Sequence, residues 1–211
     1  VDAIDSVYAK ALGGYLLIVV LGVLIMSSEF QHHTAIATFL AAPKRKTVYI
    51  AKLITAALAG GILNLVATGI GMAGATIVLK TWYPEAAEPH DYIWVDYLSS
   101  AFLIGVVLSV IGLAVGTLIR SQSGAITVSM LWFALVDRLL AYLFVDIGKY
   151  LPTGLITSLM NLHINVKEKQ TGIGINTADY LDPWPAAGLL ALYGIVFGAV
   201  AMFTTLRQDI D

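Results

Sequence analysis

The chain has 211 residues, of which 58% are hydrophobic and only 12% are charged. Soluble domains carry about 25% charged residues, so this composition excludes an ordinary soluble protein and predicts an integral membrane protein. The formal net charge of −2 does not by itself select a class of partner. Because the chain has no cysteine, disulfides, a thiolate nucleophile and a Cys-ligated metal are excluded.

Long apolar windows with few or no charged residues divide the chain into predicted membrane spans. About 20 such residues are enough to cross the hydrocarbon layer. We therefore predict an all-α integral membrane protein with a single transmembrane domain over residues 1–211 and five transmembrane helices. Because five spans place the two ends of the chain on opposite sides, we expect a sixth span upstream of Val1. The predicted spans cover residues 11–28, 53–79, 97–119, 124–144 and 183–206.

The second predicted span is rich in glycine. Small residues let membrane helices approach one another closely. The pattern is explained either by packing within one chain or by a seam between two copies, and both interpretations stay open. The glycines are Gly60, Gly61, Gly69, Gly71 and Gly74.

A polar segment separates the first two spans and has the pattern of an amphipathic helix. Ser28 can cap a helix at its start. Ile36, Phe39 and Leu40 are spaced so that they share one helical face. We predict a helix over about residues 28–42, about 21 Å long, that lies on the membrane surface.

Lysine and arginine residues near the span ends predict the orientation of the chain. Most acidic residues fall on the opposite side of the predicted membrane. The positive-inside rule places the basic side in the cytoplasm, together with the helix 28–42 and the C-terminus, in a multi-pass protein of the cell membrane. The basic residues at span ends are Lys44, Arg45, Lys46, Lys52, Arg120 and Arg207.

The segment 146–182 lies on the outer side in this topology. Within it, residues 150–166 carry no Asp, Glu, Lys or Arg but include Pro152, Gly154 and several polar residues. Irregular backbone is tolerated at membrane depth only where protein or water covers it. We therefore predict an interfacial or re-entrant helix here rather than another span.

Asp137 and Arg138 are the ionisable residues placed well inside a predicted span. An isolated charge there is costly, by about 3 kcal/mol on insertion scales, so such residues pair, face a cavity or act on a substrate. Adjacent residues point about 100° apart on a helix, so the two need not pair with each other. A structural role and a role in a translocation path both stay open.

The sequence has no motif for nucleotide hydrolysis or metal binding. The pattern G-x-x-x-x-G-K-[ST] is absent, so the chain cannot hydrolyse ATP by P-loop chemistry. Glu29 and His32 have Glu-x-x-His spacing beside His33, but no second such motif and no HExxH occur, so no metal site is predicted. The basic run 44–46 lies next to a span, which suits anionic lipid or an acidic partner better than nucleic acid.

In residues 27–52, an acidic residue ends one span, a threonine follows, and Phe-Leu, Pro-Lys-Arg and Ala-Lys lead into the next span. This pattern resembles the permease subunit of a type-2 ATP-binding-cassette exporter. His33 stands where many members carry glycine. The tail, residues 207–210, is similar to the Arg-Arg-Asp ending of many members, with Gln208 in the middle position. The matching positions are Glu29, Thr34, Leu40, Pro43, Arg45 and Lys52.

The resemblance implies that helix 28–42 is a coupling helix that docks on a separate ATPase subunit. Two cytoplasmic ATPase subunits would bind ATP and Mg, so no cofactor is expected in this chain. A second permease copy, or a homologous permease, would complete the translocation path among membrane lipids. Exporters of drugs, peptides, lipids and glycans share this layout. The residues expected to couple to the ATPase are Glu29, Phe30, Thr34, Phe39, Leu40, Pro43 and Arg45, and the candidates for the path are Asp137 and Arg138.

Two other functions stay open. The chain could be a membrane-embedded enzyme that uses Asp137 with the histidines, or a scaffold subunit that does not transport. No Ser-His-Asp arrangement and no pair of intramembrane carboxylates is evident in the sequence. Transport is therefore expected, and the chain itself is not expected to be an enzyme.

The predicted orientation is tested with single cysteines, because the chain has none of its own. Ala42→Cys and Ala87→Cys are expected to react with membrane-impermeant maleimide from opposite sides, with Ala42→Cys accessible from the cytoplasm. Labelling of both from outside intact cells would refute the orientation.

Overall fold

The structure, a computed structural model, describes residues 14–31, 45–82, 91–119, 121–160 and 181–207. No strand is found in these ranges. Most of the predicted coupling helix and much of the predicted outer segment lie outside the described residues. The helices are α1 (Tyr15–Gln31), α2 (Arg45–Trp82), α3 (Asp91–Ile119), α4 (Gln122–Leu143), α5 (Val145–Gly148), α6 (Pro152–Met160) and α7 (Pro183–Arg207).

Four of the described helices, α2, α3, α4 and α7, are long and apolar enough to cross a membrane. The prediction of an all-α chain with several spans is confirmed for the described residues. Helix α1 is apolar and has 17 residues, which is the lower limit for a span, so its crossing stays a prediction.

The helices extend beyond the predicted spans. Helix α2 begins at Arg45 rather than at 53, and α3 begins at Asp91 rather than at 97. With 38 residues, α2 is about 57 Å long, whereas the hydrocarbon layer is about 30 Å thick. Uncharged windows mark only the part of a helix inside hydrocarbon, and charged turns continue the helix into the headgroup layer.

Helix α3 forms the centre of the bundle. In its most apolar window 67% of the residues are buried, against 17% for α2. Helix α1 packs parallel to α3, because Val19 contacts Gly112 and Val23 contacts Gly116. Helices α2 and α7 pack on other faces of α3, and α4 packs against α1. We call the end where α1 stops and α2 begins the Lys52 end, and the opposite end the Trp184 end.

Glycine lets α1 and α2 approach α3 at backbone distance. A Cβ added at Gly112 would overlap the Val19 carbonyl oxygen, and one added at Gly105 would overlap the Gly60 carbonyl oxygen. Gly60 therefore packs within the chain, whereas a Cβ at Gly74 would meet nothing within 4 Å. The intramolecular interpretation of the glycine-rich span is confirmed for Gly60 and stays untested for Gly74.

Helix α6 packs among the other helices of the bundle. Its Leu155, Ile156 and Leu159 are buried in one apolar cluster with side chains of α1, α3, α4 and α7. The two predicted alternatives for this segment, an interfacial or a re-entrant helix, both stay predictions.

Glycine packing generates a stability prediction with an internal control. Gly112→Ala is expected to destabilise the purified chain by about 1–3 kcal/mol, because the new methyl group must displace the backbone of α1. Gly188→Ala in α7 is the control, since a Cβ there meets nothing within 4 Å. Thermal unfolding in detergent compares the two variants, and equal Tm values would contradict the close approach of α1 and α3.

Candidate functional site

An ion pair joins α1 and α2 at the Lys52 end. The Lys52 ammonium group contacts Glu29 Oε2, and Lys52 Nζ also lies 3.6 Å from Met26 Sδ. The side chains of Lys52 and Glu29 are only 13% and 24% exposed. The pair thus ties the last turn of α1 to the early turns of α2, on either side of residues 32–44.

The position of Glu29 within α1 is electrostatically unfavourable. The sequence predicted a separate helix over residues 28–42, which would place Glu29 in its first turn. The structure instead continues α1 to Gln31, so Glu29 lies in the last turn of α1. The negative end of a helix dipole disfavours a carboxylate there. Lys52 supplies the compensating charge, which lets the apolar helix extend past Ser28 with a charged residue in its final turn.

The same end of the bundle is fixed by Tyr49. Its side chain is 2% exposed and packs in an apolar cluster with Met26 and Leu113. The Tyr49 hydroxyl donates a hydrogen bond to the Gly198 carbonyl oxygen of α7 at 3.2 Å. The start of α2 is therefore held against α1, α3 and α7 together.

Few of the predicted coupling residues fall in the described part of the chain. Phe30 packs against the apolar cluster around Tyr49, so it points into the bundle. Arg45 is the first residue of α2, and its side chain lies outside the described part of the structure. The predicted coupling residues outside the described ranges are Thr34, Phe39, Leu40 and Pro43.

Asp137 and Arg138, the two charged residues within α4, point in different directions. Asp137 is 0% exposed, and its Oδ2 accepts a hydrogen bond from the Thr153 backbone N–H of α6 at 2.9 Å. Arg138 is exposed on the outer surface of the helix. Asp137 is thus buried and Arg138 exposed, a difference that adjacent residues about 100° apart on a helix can have.

Three contacts at these sites were missed from the sequence. Tyr49 has no sequence signal, because its partner is a backbone carbonyl in α7. The Glu29–Lys52 pair does have a signal, namely opposite charges at the facing ends of two consecutive apolar runs. The hydrogen bond from Thr153 to Asp137 depends on the return of the chain to α4, and the sequence predicted such a return only as one of two alternatives.

Two observations on the described residues concern ligand binding. Within the described ranges, no group of three or more His, Asp and Glu side chains is placed to hold a metal ion, and His32 and His33 lie outside them. A cleft of about 190 Å³ at the Trp184 end is smaller than pockets for drug-sized ligands, which measure about 300–1,000 Å³. Its lining residues include Asp96, Ser99, Leu159 and Trp184.

Charge reversal tests the ion pair. Glu29→Lys and Lys52→Glu are each expected to destabilise the purified chain by about 1–3 kcal/mol, since each leaves two like charges in a largely buried site. The double variant is expected to regain most of that loss. Lys46→Glu is the control, because Lys46 is exposed on the same helix. Thermal unfolding of all four variants gives the interaction free energy, and additive losses in the double variant would refute the pair.

Comparison with known proteins identified no relative of this chain. No protein-family model matches the chain, and no curated protein or solved structure matches it significantly. The resemblance noted at residues 27–52 therefore stays an expectation, and function is argued from the residues themselves.

Proposed function

We propose that the chain is the permease subunit of an ATP-driven exporter of the type-2 ATP-binding-cassette kind. The observation that carries the proposal is the Glu29–Lys52 ion pair, which clamps the two helices flanking the predicted coupling segment. A bare loop between two spans needs no such clamp. A segment that transmits movement does need it, because force applied to residues 32–44 must reach both helices together.

Packing supports transmission beyond α1 and α2. Both helices contact α3 through glycines at backbone distance, and Tyr49 links α2 to α7. Densely packed interiors transmit displacement rather than absorb it. A push at the Lys52 end would therefore move α1, α2 and α3 as one body.

The outward faces of the bundle suit a lipid environment and a second permease. Helix α2 exposes a long row of large apolar side chains, and α4 and α7 do the same. The apolar surface that these side chains expose is far larger than the apolar patches of a soluble monomer. In this proposal lipid covers most of it, and a second copy or a homologous permease covers the rest and completes the path. Exposed residues include Ile54, Leu58, Ile62, Ile70, Leu135, Leu139, Ile195 and Phe203.

ATP hydrolysis is assigned to two separate cytoplasmic subunits, because the chain carries no P-loop motif. The exported substrate is a drug, peptide, lipid or glycan. The enzyme alternative is disfavoured by the burial of Asp137, whose carboxylate is held by a backbone N–H and is closed to solvent. A general acid or base must reach the proton that it transfers.

Recovery of an ATPase with the tagged chain tests the proposal. The unmodified chain, purified from its native membrane in mild detergent, is expected to bring down a P-loop ATPase. Phe39→Ala is expected to reduce that recovery by about thirtyfold, since a buried aromatic anchor is commonly worth about 2 kcal/mol or more. Quantitative mass spectrometry measures the ratio of ATPase to permease.

Ile70→Ala is the matched control, because Ile70 is a large apolar residue exposed on α2 away from the Lys52 end. It is expected to leave ATPase recovery and membrane abundance unchanged. Absence of any ATPase from the unmodified sample, with the chain intact and abundant, would contradict the proposed function.

A further inference from the structure

The chain turns back into the bundle after α4. Helix α4 ends at Leu143, and the next residue, Phe144, has a φ of −128° and a ψ of 81°, which are not helical. Helix α5 then runs beside α4, and a Cβ added at Gly148 would lie 3.1 Å from Ala141 Cα. A Cβ added at Gly154 would overlap the Gly148 carbonyl oxygen. The reversal is therefore tight, and it delivers the start of α6 to the side of α4.

The first turn of α6 begins at the level of Asp137. Asp137 lies six residues before the end of α4 at Leu143, which corresponds to about 9 Å along the helix. The first N–H groups of a helix have no partner within the helix, and hydrocarbon offers none. An acceptor from another element is needed at this depth.

Asp137 is that acceptor. Pro152 has no N–H, the Thr153 N–H donates to Asp137 Oδ2 at 2.9 Å, and the Leu155 N–H donates to the Leu151 carbonyl oxygen at 2.9 Å. The positive end of the α6 dipole also favours the carboxylate. One side chain of α4 thus provides the hydrogen-bond acceptor that the start of α6 requires.

A π-helical turn directs Asp137 toward α6. Residues Trp132–Val136 form this turn, and the Asp137 N–H donates to the Trp132 carbonyl oxygen. On a regular α-helix, residues spaced four apart are displaced by about 40° around the helix axis from one to the next. The π-helical turn has more residues per turn and therefore offsets this displacement. The buried stripe on α4 is Ala125, Ser129, Phe133, Asp137 and Ala141.

We infer that Asp137 is the positioning residue that holds α6 at its depth in the membrane. In the exporter proposed above, α6 then forms part of the Trp184 end of the translocation path, and this part of the inference depends on that proposal. Asp137 Oδ1 has no hydrogen-bond partner among the described residues, so Oδ2 carries the attachment. Asp137 acts through α6 and does not contact the substrate.

Accessibility of α6 in the purified full-length chain in lipid nanodiscs tests the inference without any ATPase. Ser158 is 2% exposed on α6, so Ser158→Cys is a nearly isosteric reporter in a chain that has no other cysteine. In the Asp137→Leu background, its reaction rate with maleimide is expected to rise by about tenfold or more, as loss of a hydrogen bond to a charged group predicts. Asp137→Asn, which keeps an acceptor oxygen, is expected to give a smaller rise.

Two controls separate local release of α6 from general loosening. Ser129→Cys reports on the buried stripe of α4 and is expected to stay unreactive in the same backgrounds. Arg138→Gln changes the exposed neighbour and is expected to leave Ser158→Cys unreactive.

The sign of the Asp137→Leu effect decides the question. If Asp137 were only a costly buried charge, an apolar replacement of similar size would stabilise the bundle and Ser158→Cys would react no faster than in the parent. That result would overturn the inference, as would equal rises at both reporters or loss of the folded chain in both Asp137 variants. If Asp137→Leu speeds the reaction of Ser158→Cys as expected but no ATPase is recovered with the chain, only the proposed function is refuted.

Discussion

The closest contacts in this bundle are made between backbones. Gly22, Gly105 and Gly112 have no side chain where α1 and α2 meet α3, and any Cβ there would overlap a carbonyl oxygen of the neighbouring helix. Lipid is as apolar as leucine, so burial alone does not drive helices together in a membrane, and tight van der Waals contact must do so. The register of α1, α2 and α3 follows from these contacts, and the Glu29–Lys52 ion pair lies on that frame.

The two ends of the frame are held differently. At the Lys52 end, an ion pair, a buried tyrosine and an apolar cluster join four helices around the ends of α1 and α2. Toward the Trp184 end, the first turn of α6 is attached to α4 through one carboxylate oxygen of Asp137. In the permease proposed above, movement would enter at the Lys52 end and the path would open at the Trp184 end.

Hydropathy predicted five spans, and four of them are helices long and apolar enough to cross a membrane, because the cost of charge in hydrocarbon is large and local in sequence. The predicted spans were shorter than α2 and α3, because charged turns at the ends of these helices are helical but lie outside hydrocarbon. Helix geometry allowed the different burial of Asp137 and Arg138, because adjacent residues point about 100° apart. The π-helical turn before Asp137 and the bond from Tyr49 to Gly198 could not be predicted, because both depend on backbone atoms that carry no residue-specific signal.

The central claim is that α1 and α2 carry ATP-driven movement as one body, and spin-label distances test it most directly. Gln31→Cys and Lys46→Cys are suitable, because both residues are exposed and flank the segment 32–44. In the complex with its ATPase, electron paramagnetic resonance is expected to show an unchanged distance between the two labels within one chain on addition of ATP. The distance between Gln31→Cys labels on two permease copies is expected to change. A within-chain distance that shifts with ATP, while the distance between copies stays constant, would contradict the account.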